Sequence, residues 1–359
     1  MRRPAGAHGP DLPVDGIMDD QPGQEARGGK VNGYWAVGVD VGATKLEVAR
    51  VEWGGKVVDS IRTPTKVEGG PAAVERDIVE AARLLMERAG TAPLGIGVGI
   101  AGQIERQAGR VLFAPNLNWR EVPLRADLEE ALEMAAVVMN DVRAITWGEW
   151  LYGAGKGCDD VICLWLGTGI GGGVVSAGRV LSGRANSAGE LGHIVIDMNG
   201  PPCTCGNRGC LEALASGWAI ARQAREMVSL DPKAGSMLLA AAGGAAEAVS
   251  AEAVAQCAHR GDALSLGLLD SVGRALTAGC VSLVNAFNPG RLVLGGGVID
   301  GLPEMIDRVR RGVTQGALAS ASASCEIVRG MLGPGAGVVG AACVAMRAFG
   351  GEGEDRVGG

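Results

Sequence analysis

The chain has 359 residues, which is long enough for one large domain or two ordinary domains with a sizeable core. Hydrophobic residues make up 47% of it and charged residues 20%, as in globular rather than disordered proteins. The 33 basic and 40 acidic residues give a net charge of −7, which argues against a general nucleic-acid surface or a polybasic membrane anchor.

The first 33 residues are rich in Gly, Pro, Asp and Gln and lack periodicity, which predicts a disordered N-terminal extension. This extension has no apolar segment of the signal-peptide type, and no apolar run in the chain approaches the length of a membrane span. Nine cysteines, an odd number, do not suit a small disulfide-stapled secreted protein. We therefore expect a cytoplasmic protein.

Two parts of the chain predict the same succession of strand, glycine-bearing turn, strand and helix. The first part predicts, in order, strands at 34–40, 45–51 and 56–59, a helix at 71–89, a strand at 95–100, a helix at 124–134 and a strand at 136–139. The second predicts strands at 160–166, 174–175 and 179–181, a helical region at 217–287, a strand at 291–294 and a helix at 335–348. Polar residues follow several strands, which is where open α/β sheets bind ligands.

The first glycine turn is the segment 40–45, Asp-Val-Gly-Ala-Thr-Lys. Such a turn exposes backbone N–H groups that can bind phosphate oxygens, and the Thr44 hydroxyl can add a donor. Asp40 can hold Mg²⁺ directly or through water. An ordinary hairpin with a capping aspartate is the alternative interpretation of this segment.

The second glycine turn is the segment 166–173, Leu-Gly-Thr-Gly-Ile-Gly-Gly-Gly. It is not a Walker loop, because no Gly-Lys-Ser/Thr follows, and it is not a Rossmann fingerprint, because short strands rather than a long helix follow. It resembles the first turn and lies at the equivalent place in the second part. A flexible turn is the alternative, but the recurrence in two half-repeats favours phosphate binding.

Asn140 and Asp141 follow a buried strand. A carboxylate at the carboxyl end of a strand, facing a cleft, is well placed to act as a general base. An aspartate at this position would serve equally as the N-cap of the following helix, and the residues alone favour that interpretation.

Three cysteines, Cys203, Cys205 and Cys210, share one short glycine-punctuated loop, and His193 lies upstream. Three thiolates and one imidazole suit a tetrahedral zinc ion, although Cys-x-Cys-x4-Cys is not a common zinc-finger spacing. Reduced structural thiols are the alternative. The neighbouring acidic side chains of Glu190 and Glu212 could bind hydroxyl groups or support the metal.

These motifs together resemble the sugar kinases of the ROK (repressor, open reading frame, kinase) family, over roughly residues 34–348. The segments that carry the resemblance are 40–45, 140–141, 166–172, 190–193 and 203–212, and the segment 111–119 is closest to the ATP-dependent glucokinase branch. The resemblance implies a two-domain α/β fold of the actin/hexokinase/heat-shock-70 (ribonuclease H-like) type with an interdomain cleft. It implies a small domain at 34–139 plus 335–349, and a large domain at 140–334 with a zinc loop at 193–212.

The resemblance also implies a glucokinase reaction with Asp141 as general base toward the 6-hydroxyl of glucose. The implied sugar-binding residues are Gly102, Asn116, Asn140, Asp141, Glu190, His193 and Glu212. The residues implied to bind ATP and Mg²⁺ are Asp40, Gly42, Ala43, Thr44, Lys45, Thr168, Gly169, Gly171, Gly295, Gly296 and Gly297. The implied ligands of a structural Zn²⁺ are His193, Cys203, Cys205 and Cys210.

Several alternatives stay open within this resemblance. Ala43 stands where the family commonly has glycine, and its methyl group should narrow the first turn slightly without abolishing phosphate binding. A kinase of N-acetylmannosamine or N-acetylglucosamine would use the same chemistry. Sugar-responsive repressors of the family carry an N-terminal helix-turn-helix, for which the segment before Tyr34 is too short and too rich in Gly and Pro. The breadth of sugar use and the choice of ATP or polyphosphate as donor stay open.

The partners expected from the resemblance are a small-molecule hexose and ATP, without nucleic acid or membrane. A homo-oligomer, either a dimer or a tetramer, is expected as well.

Overall fold

The computed structural model describes residues 34–350, so the predicted disordered extension lies outside the described residues. The strands in this part are β1 Trp35–Val41, β2 Lys45–Glu52, β3 Lys56–Pro64, β4 Ile96–Ile100, β5 Gln103–Ile104, β6 Val111–Ala114, β7 Trp119–Val122, β8 Ala136–Asn140, β9 Val161–Leu166, β10 Ile170–Ser176, β11 Arg179–Val180, β12 Arg291–Gly295 and β13 Glu326–Arg329. The helices are α1 Gly70–Ala89, α2 Leu124–Leu132, α3 Asp141–Leu151, α4 Leu211–Ala215, α5 Gly217–Leu230, α6 Ser236–Ala241, α7 Ala251–His259, α8 Ala263–Phe287, α9 Gly297–Gly301, α10 Glu304–Gly316, α11 Ala319–Ser324 and α12 Ala336–Phe349.

Two five-stranded sheets repeat one topology. Their strand orders are β3-β2-β1-β4-β8 and β11-β10-β9-β12-β13. In each sheet the first three strands pair antiparallel and the last two join them in parallel. The predicted half-repeat is therefore confirmed. It follows that the β1–β2 turn and the β9–β10 turn occupy equivalent places in the two sheets.

A third sheet, with the order β5-β6-β7, lies between β4 and α2 in the chain. The sequence did not predict it, because strands of two to four residues are too short to show a period of two. Its first strand follows the carboxyl end of β4 after two residues. This sheet therefore starts beside the ends of the strands that lead to Asp40 and Asp141.

Separate apolar clusters lie beside the two large sheets. Beside the first sheet, β1 and β4 pack on α1 and α2 through residues such as Val39, Ile78 and Leu128. Beside the second, β9 and β12 pack on α5, α8 and α10 through residues such as Leu164 and Leu276. Hydrophobic faces of this size are what hold α/β layers together.

Helix α8 corrects one expectation from the sequence. Its 25 residues are long and apolar enough to cross a membrane by length and composition, although no apolar run was expected to approach that length. Half of its most apolar window is buried, and side chains such as Leu268, Val272 and Leu283 belong to the core beside the second sheet. Core packing accounts for the apolar composition of this helix.

Helices α3 and α12 cross at very short range. A Cβ atom on Gly340 of α12 would lie 1.7 Å from the carbonyl oxygen of Ala144 in α3, and one on Gly148 would lie 3.1 Å from the Gly340 nitrogen. On its other side α12 lies against β1, where a Cβ on Gly38 would come 2.0 Å from Val338 O. These glycines fix α3, and with it Asp141, against the first sheet.

The carboxyl-terminal half of α3 is joined to the segment before α12. The Glu149 side chain is fully buried. Its Oε2 accepts hydrogen bonds from the Ala154 nitrogen at 2.8 Å and the Met331 nitrogen at 3.0 Å, and its Oε1 accepts one from the Leu332 nitrogen at 2.9 Å. A buried carboxylate with three N–H donors is well compensated.

We expect Gly340→Ala to destabilise the protein by about 2 kcal/mol or more, because the added methyl group must push the two helices apart. Gly267→Ala in α8 is the matched control, since a Cβ there meets nothing within 4 Å. Replacing an exposed helical glycine by alanine should stabilise by about 0.5–1 kcal/mol. Urea unfolding of both variants measures the difference, and equal unfolding midpoints would contradict the close crossing.

Candidate active site

Strand β8 ends at Asn140 and α3 begins at Asp141. Asn140 Oδ1 accepts a hydrogen bond from the Arg143 nitrogen at 3.1 Å, so Asn140 is the N-cap of α3. Its Nδ2 donates to the Gly102 carbonyl oxygen at 3.3 Å. The N-cap role that the sequence favoured for Asp141 is therefore wrong, because the preceding residue fills it. Asp141 lies in the first turn instead.

The environment of Asp141 favours its neutral form. The pKa of this carboxyl is raised to about 7, mainly by burial and also by the negative charges of Asp40 and Glu190, whereas backbone N–H groups at the start of α3 oppose the rise. Burial also raises the pKa of Asp40 to about 6, against a lowering effect of Lys45. A carboxyl whose pKa lies near neutrality can exchange protons at physiological pH.

The strand register explains why the two carboxyl groups are near one another. Asp40 in β1 pairs with Gly99 in β4, and Ile100, the next residue of β4, pairs with Asn140 in β8. Both aspartates therefore lie at the carboxyl ends of parallel strands, with β4 between them. A Cβ on Gly99 would lie 3.2 Å from the Ala144 Cβ, a tight contact, so this glycine eases the close approach of α3 to β4.

The first glycine turn joins β1 to β2. The Gly42 nitrogen donates to Lys45 O at 3.0 Å, and the Thr65 hydroxyl donates to Gly42 O at 2.7 Å. Ala43 is half-buried within the turn, and Thr44 is exposed. Lys45 Nζ lies 2.9 Å from the carboxylate of Glu47, a buried residue. The Lys45 ammonium group therefore pairs with Glu47, and its positive charge also lowers the pKa of Asp40.

The second glycine turn is anchored to the start of α5. The nitrogens of Gly217 and Trp218 donate to the carbonyl oxygens of Gly167 and Thr168 at 2.9 and 3.0 Å. Beyond the turn, a Cβ on Gly171 would come 2.3 Å from the Val142 side chain. The absence of a side chain at this position lets β10 lie against the first turn of α3, beside Asp141.

The third glycine segment follows β12. Gly295 lies against the Trp165 ring, where a Cβ would come 2.1 Å from the ring, and Gly296 has a φ of 91°. A Cβ on Gly296 would lie 2.5 Å from Leu166 O. The segment is therefore held beside the end of β9, where the second turn begins. Around Gly297 the space for a Cβ is open.

The structure brings some of the predicted sugar-binding residues together. Gly102 is hydrogen-bonded to Asn140, and the charge of Glu190 acts on Asp141. Glu190 is exposed and directly precedes the short 3₁₀ turn Leu191–His193. Asn116 lies exposed in another 3₁₀ turn, between β6 and β7 of the third sheet.

The predicted metal ligands converge. One ligand atom from each of His193, Cys203, Cys205 and Cys210 lies within 4.8 Å of the others. The Cys205 and Cys210 sulfurs are 3.7 Å apart, and Cys203 Sγ is 3.7 Å from His193 Nδ1. Two thiolates bound tetrahedrally at zinc–sulfur distances of about 2.3 Å would lie about 3.8 Å apart. The donor set and its spacing are compatible with Zn²⁺.

Glu212 connects the cysteine loop to β10. Its Oε2 accepts a hydrogen bond from the Ile170 nitrogen at 2.9 Å, and its Oε1 accepts one from the Thr204 hydroxyl at 3.2 Å. A Cβ on Gly169 would lie 2.5 Å from Oε2, so the second turn lies directly against this carboxylate. Both carboxylate oxygens thus contact the protein, as in the alternative that gave Glu212 a supporting role.

Sequence reasoning missed Arg143 and Asn186. The Arg143 guanidinium donates to the side chain and carbonyl oxygen of Asn186 and to Ala188 O. Arg143 is the one charged residue in the segment 142–148, which could have marked it as a buried charge with a defined partner. Asn186 carries no comparable signal, because an asparagine in a loop is ordinary.

The chain is similar to known proteins over most of its length. A family model described as "ROK family" matches residues 36–348. The glucokinase of Thermotoga maritima is 37% identical over 316 residues, which cover 88% of this chain and 98% of that protein. The xylose repressor of Bacillus subtilis is 29% identical over 325 residues, which cover 89% of this chain and 79% of the repressor.

Among solved structures, a ROK family glucokinase from Streptomyces griseus in complex with glucose and AMPPNP is similar, with a TM-score of 0.75 and 33% identity. The match covers 86% of this chain and 98% of that one. It confirms the expected two-domain α/β fold of the actin/hexokinase type. The matched family model and these similarities show that the chain belongs to the ROK family.

Proposed function

We propose that this chain is an ATP-dependent glucokinase, which transfers the γ-phosphoryl group of ATP to the 6-hydroxyl of glucose. The observation that carries the proposal is Asp141, a carboxyl with a pKa near 7 beside two equivalent glycine turns. Support comes from the likeness to glucokinases over nearly their whole length, including one whose structure holds glucose and AMPPNP.

In the proposed reaction Asp141 accepts the proton of the sugar 6-hydroxyl. The electron pair left on the sugar 6-oxygen attacks the γ-phosphorus in line. The bond between that phosphorus and the bridging oxygen breaks, and ADP leaves with the electrons of that bond. Phosphoryl transfer needs mainly positioning and charge neutralisation. Mg²⁺ bound with the nucleotide would neutralise phosphate charge, and Asp40 is the residue proposed to hold it. Closure of the cleft would exclude water as a competing acceptor.

The proposed sites keep the residues expected from the sequence. The nucleotide would lie against the first turn at 40–45, the second turn at 167–171 and the segment 295–297. Glucose would lie among Gly102, Asn116, Asn140, Asp141, Glu190, His193 and Glu212. The proposed domain boundaries, 34–139 plus 335–349 and 140–334, assign the two clusters beside the large sheets to different domains, whereas a third cluster, which includes Ala144, Val293 and Ala341, contains residues of both.

We also propose that the cysteine loop holds a structural zinc ion. His193 would bind it through Nδ1, the nitrogen that faces Cys203 Sγ. Its Nε2 then stays available for a hydrogen bond to a sugar hydroxyl, so one residue can serve both proposed roles.

Two other functions are supported by fewer observations. The Bacillus subtilis xylose repressor matches most of this chain, which supports sugar-responsive regulation. Kinases of N-acetylated hexosamines would use the same base and turns. Phosphoryl transfer to glucose would distinguish a glucokinase from a regulator without kinase activity. Relative rates on a panel of sugars would distinguish a glucokinase from a kinase of N-acetylated hexosamines.

The purified protein should phosphorylate glucose with ATP and Mg²⁺ faster than it phosphorylates mannose, fructose, N-acetylmannosamine or N-acetylglucosamine. Asp141→Asn should lower kcat by about 10²–10⁴-fold while glucose still binds, because the variant cannot accept the proton. A coupled ADP assay across the sugars measures both effects. No turnover on any sugar would exclude the kinase proposal, and a preference for an N-acetylated sugar would favour that alternative.

The same assay has a pH readout. A general base must be deprotonated, so kcat/KM of the wild-type enzyme should fall as the pH drops below about 7, the pKa of Asp141. The residual rate of Asp141→Asn should lack that step. If both enzymes gave the same profile, Asp141 would not be the titrating base.

Asp141→Asn should stabilise the folded protein at pH 8 by about 1 kcal/mol or more. The folded pKa is raised above the unfolded value of 3.8, so the native state binds more protons between these pKa values and loses stability as the pH rises through that window. The gain should vanish near pH 4. Asp307→Asn, an exposed first-turn aspartate of α10 paired with Arg310, is the control and should give no gain. Melting temperatures of the wild-type protein and both variants at pH 8 and near pH 4 test this prediction.

Metal analysis of the purified protein should find about one zinc per chain. Cys205→Ser should lower the zinc content and the melting temperature, because an exposed thiolate ligand is lost with little change in packing. Cys325→Ser, a half-buried cysteine outside the cluster, is the control and should leave the zinc content unchanged. Protein that is free of zinc yet has the wild-type melting temperature would exclude the structural role.

A further inference from the structure

Arg143 lies two residues after Asp141 on the buried side of α3, with 6% of its surface exposed. Burial lowers the pKa of its guanidinium, and the charge of Glu190 opposes that effect. A buried cation is costly unless it is hydrogen-bonded in full. Its acceptors here are neutral: the Asn186 side-chain oxygen, Asn186 O at 3.0 Å and Ala188 O at 3.2 Å.

Asn186 extends these contacts to the third sheet. Its Nδ2 donates to Ile104 O at 2.9 Å, and Ile104 is the last residue of β5, two residues after Gly102. Asn186 has a φ of 56°, a left-handed conformation that asparagine tolerates better than most residues. Arg143 and Asn186 together therefore join three segments: the first turn of α3, the loop at 182–189 and strand β5.

The loop at 182–189 leads directly into Glu190. Within it, the Ala188 nitrogen donates to Ser182 O at 3.0 Å, which closes the loop on itself. Its last residue, Gly189, lies against β10, where a Cβ on Gly172 would come 2.7 Å from Gly189 O. The position of Glu190 is thus set by β10 on one side and by Arg143 on the other.

We propose that Arg143 is a positioning residue for the sugar, a role that rests on the proposed function. It fixes the position, relative to Asp141, of the loop that precedes Glu190. Through Asn186 it also fixes strand β5, which follows Gly102. The planar guanidinium has five N–H donors and reaches several acceptors at once, which a neutral amide cannot do. The residue acts through the pocket walls and does not itself take part in phosphoryl transfer.

The test compares Arg143→Gln and Asn186→Gly with the wild-type enzyme. Asn186→Gly removes both side-chain contacts, and glycine adopts the left-handed conformation without strain. Each variant should raise KM for glucose about tenfold or more, since small displacements of positioning groups have large effects. KM for ATP should stay within about twofold of the wild-type value. Glucose affinity measured by calorimetry without ATP should fall in parallel.

The matched control is Arg291→Gln. Arg291 Nη1 also donates to two backbone carbonyls, Ala154 O at 2.9 Å and Lys156 O at 3.0 Å, but at the opposite end of β12 from Gly295. It should leave KM for glucose unchanged. A nonspecific disturbance of the site would raise KM for ATP as well, and a nonspecific effect of losing a buried arginine would raise KM for glucose in Arg291→Gln too; either outcome would overturn the proposal.

The double variant completes the test. If the two residues act as one unit, Arg143→Gln combined with Asn186→Gly should raise KM for glucose no more than the stronger single change. Additive effects would overturn the proposed connection. Should Arg143→Gln fail to fold, Asn186→Gly alone decides, and an unchanged KM for glucose would reject the role. A wild-type enzyme inactive on glucose would instead reject the proposed function.

Discussion

The close crossing of α3 and α12 is the constraint on which the site depends. Gly340 and Gly148 bring the two helices to a distance that side chains would prevent, and α12 in turn lies against β1 through Gly38. The buried carboxylate of Glu149, the residue after Gly148, fixes the carboxyl-terminal end of α3 to the segment before α12. With its middle and its carboxyl-terminal end held, α3 keeps Asp141 near the end of β1, where Asp40 lies.

This rigidity explains how the fold maintains an unfavourable charge arrangement. Burial raises the pKa of Asp141, and the nearby negative charges of Asp40 and Glu190 add to that rise. In a looser scaffold such groups would move apart into water. Here Asn140 caps the helix and holds Gly102, so local hydrogen bonds of α3 oppose that movement. Functional regions commonly contain locally unfavourable arrangements that the surrounding contacts hold in place.

Much of the fold could be predicted because it lies in periodic patterns and glycine turns. The two half-repeats could be predicted because their pattern recurs along the chain. The Asn140-Asp141 pair and the cluster of the cysteines with His193 could be predicted because their residues lie close together in the sequence. The third sheet could not be predicted, since its strands are too short to show a pattern. Arg143 and Asn186 contact each other across 43 residues, and only tertiary structure reveals that pairing. Helix α8 is apolar because it is a core helix, which composition alone does not distinguish from a membrane span.

The cysteine loop and the second glycine turn are parts of one structure, because Glu212 binds both. One oxygen of its carboxylate holds the Ile170 backbone after the turn, and the other holds Thr204 between the first two cysteines. Cys203 Sγ lies 3.9 Å from the same carboxylate. Displacement of Thr204 with the cysteine loop must therefore either break its hydrogen bond to Glu212 or move Glu212, which disturbs the hydrogen bond of Glu212 to β10. Since Gly171 of β10 lies against Val142, the order of the cysteine loop reaches the first turn of α3 through two contacts.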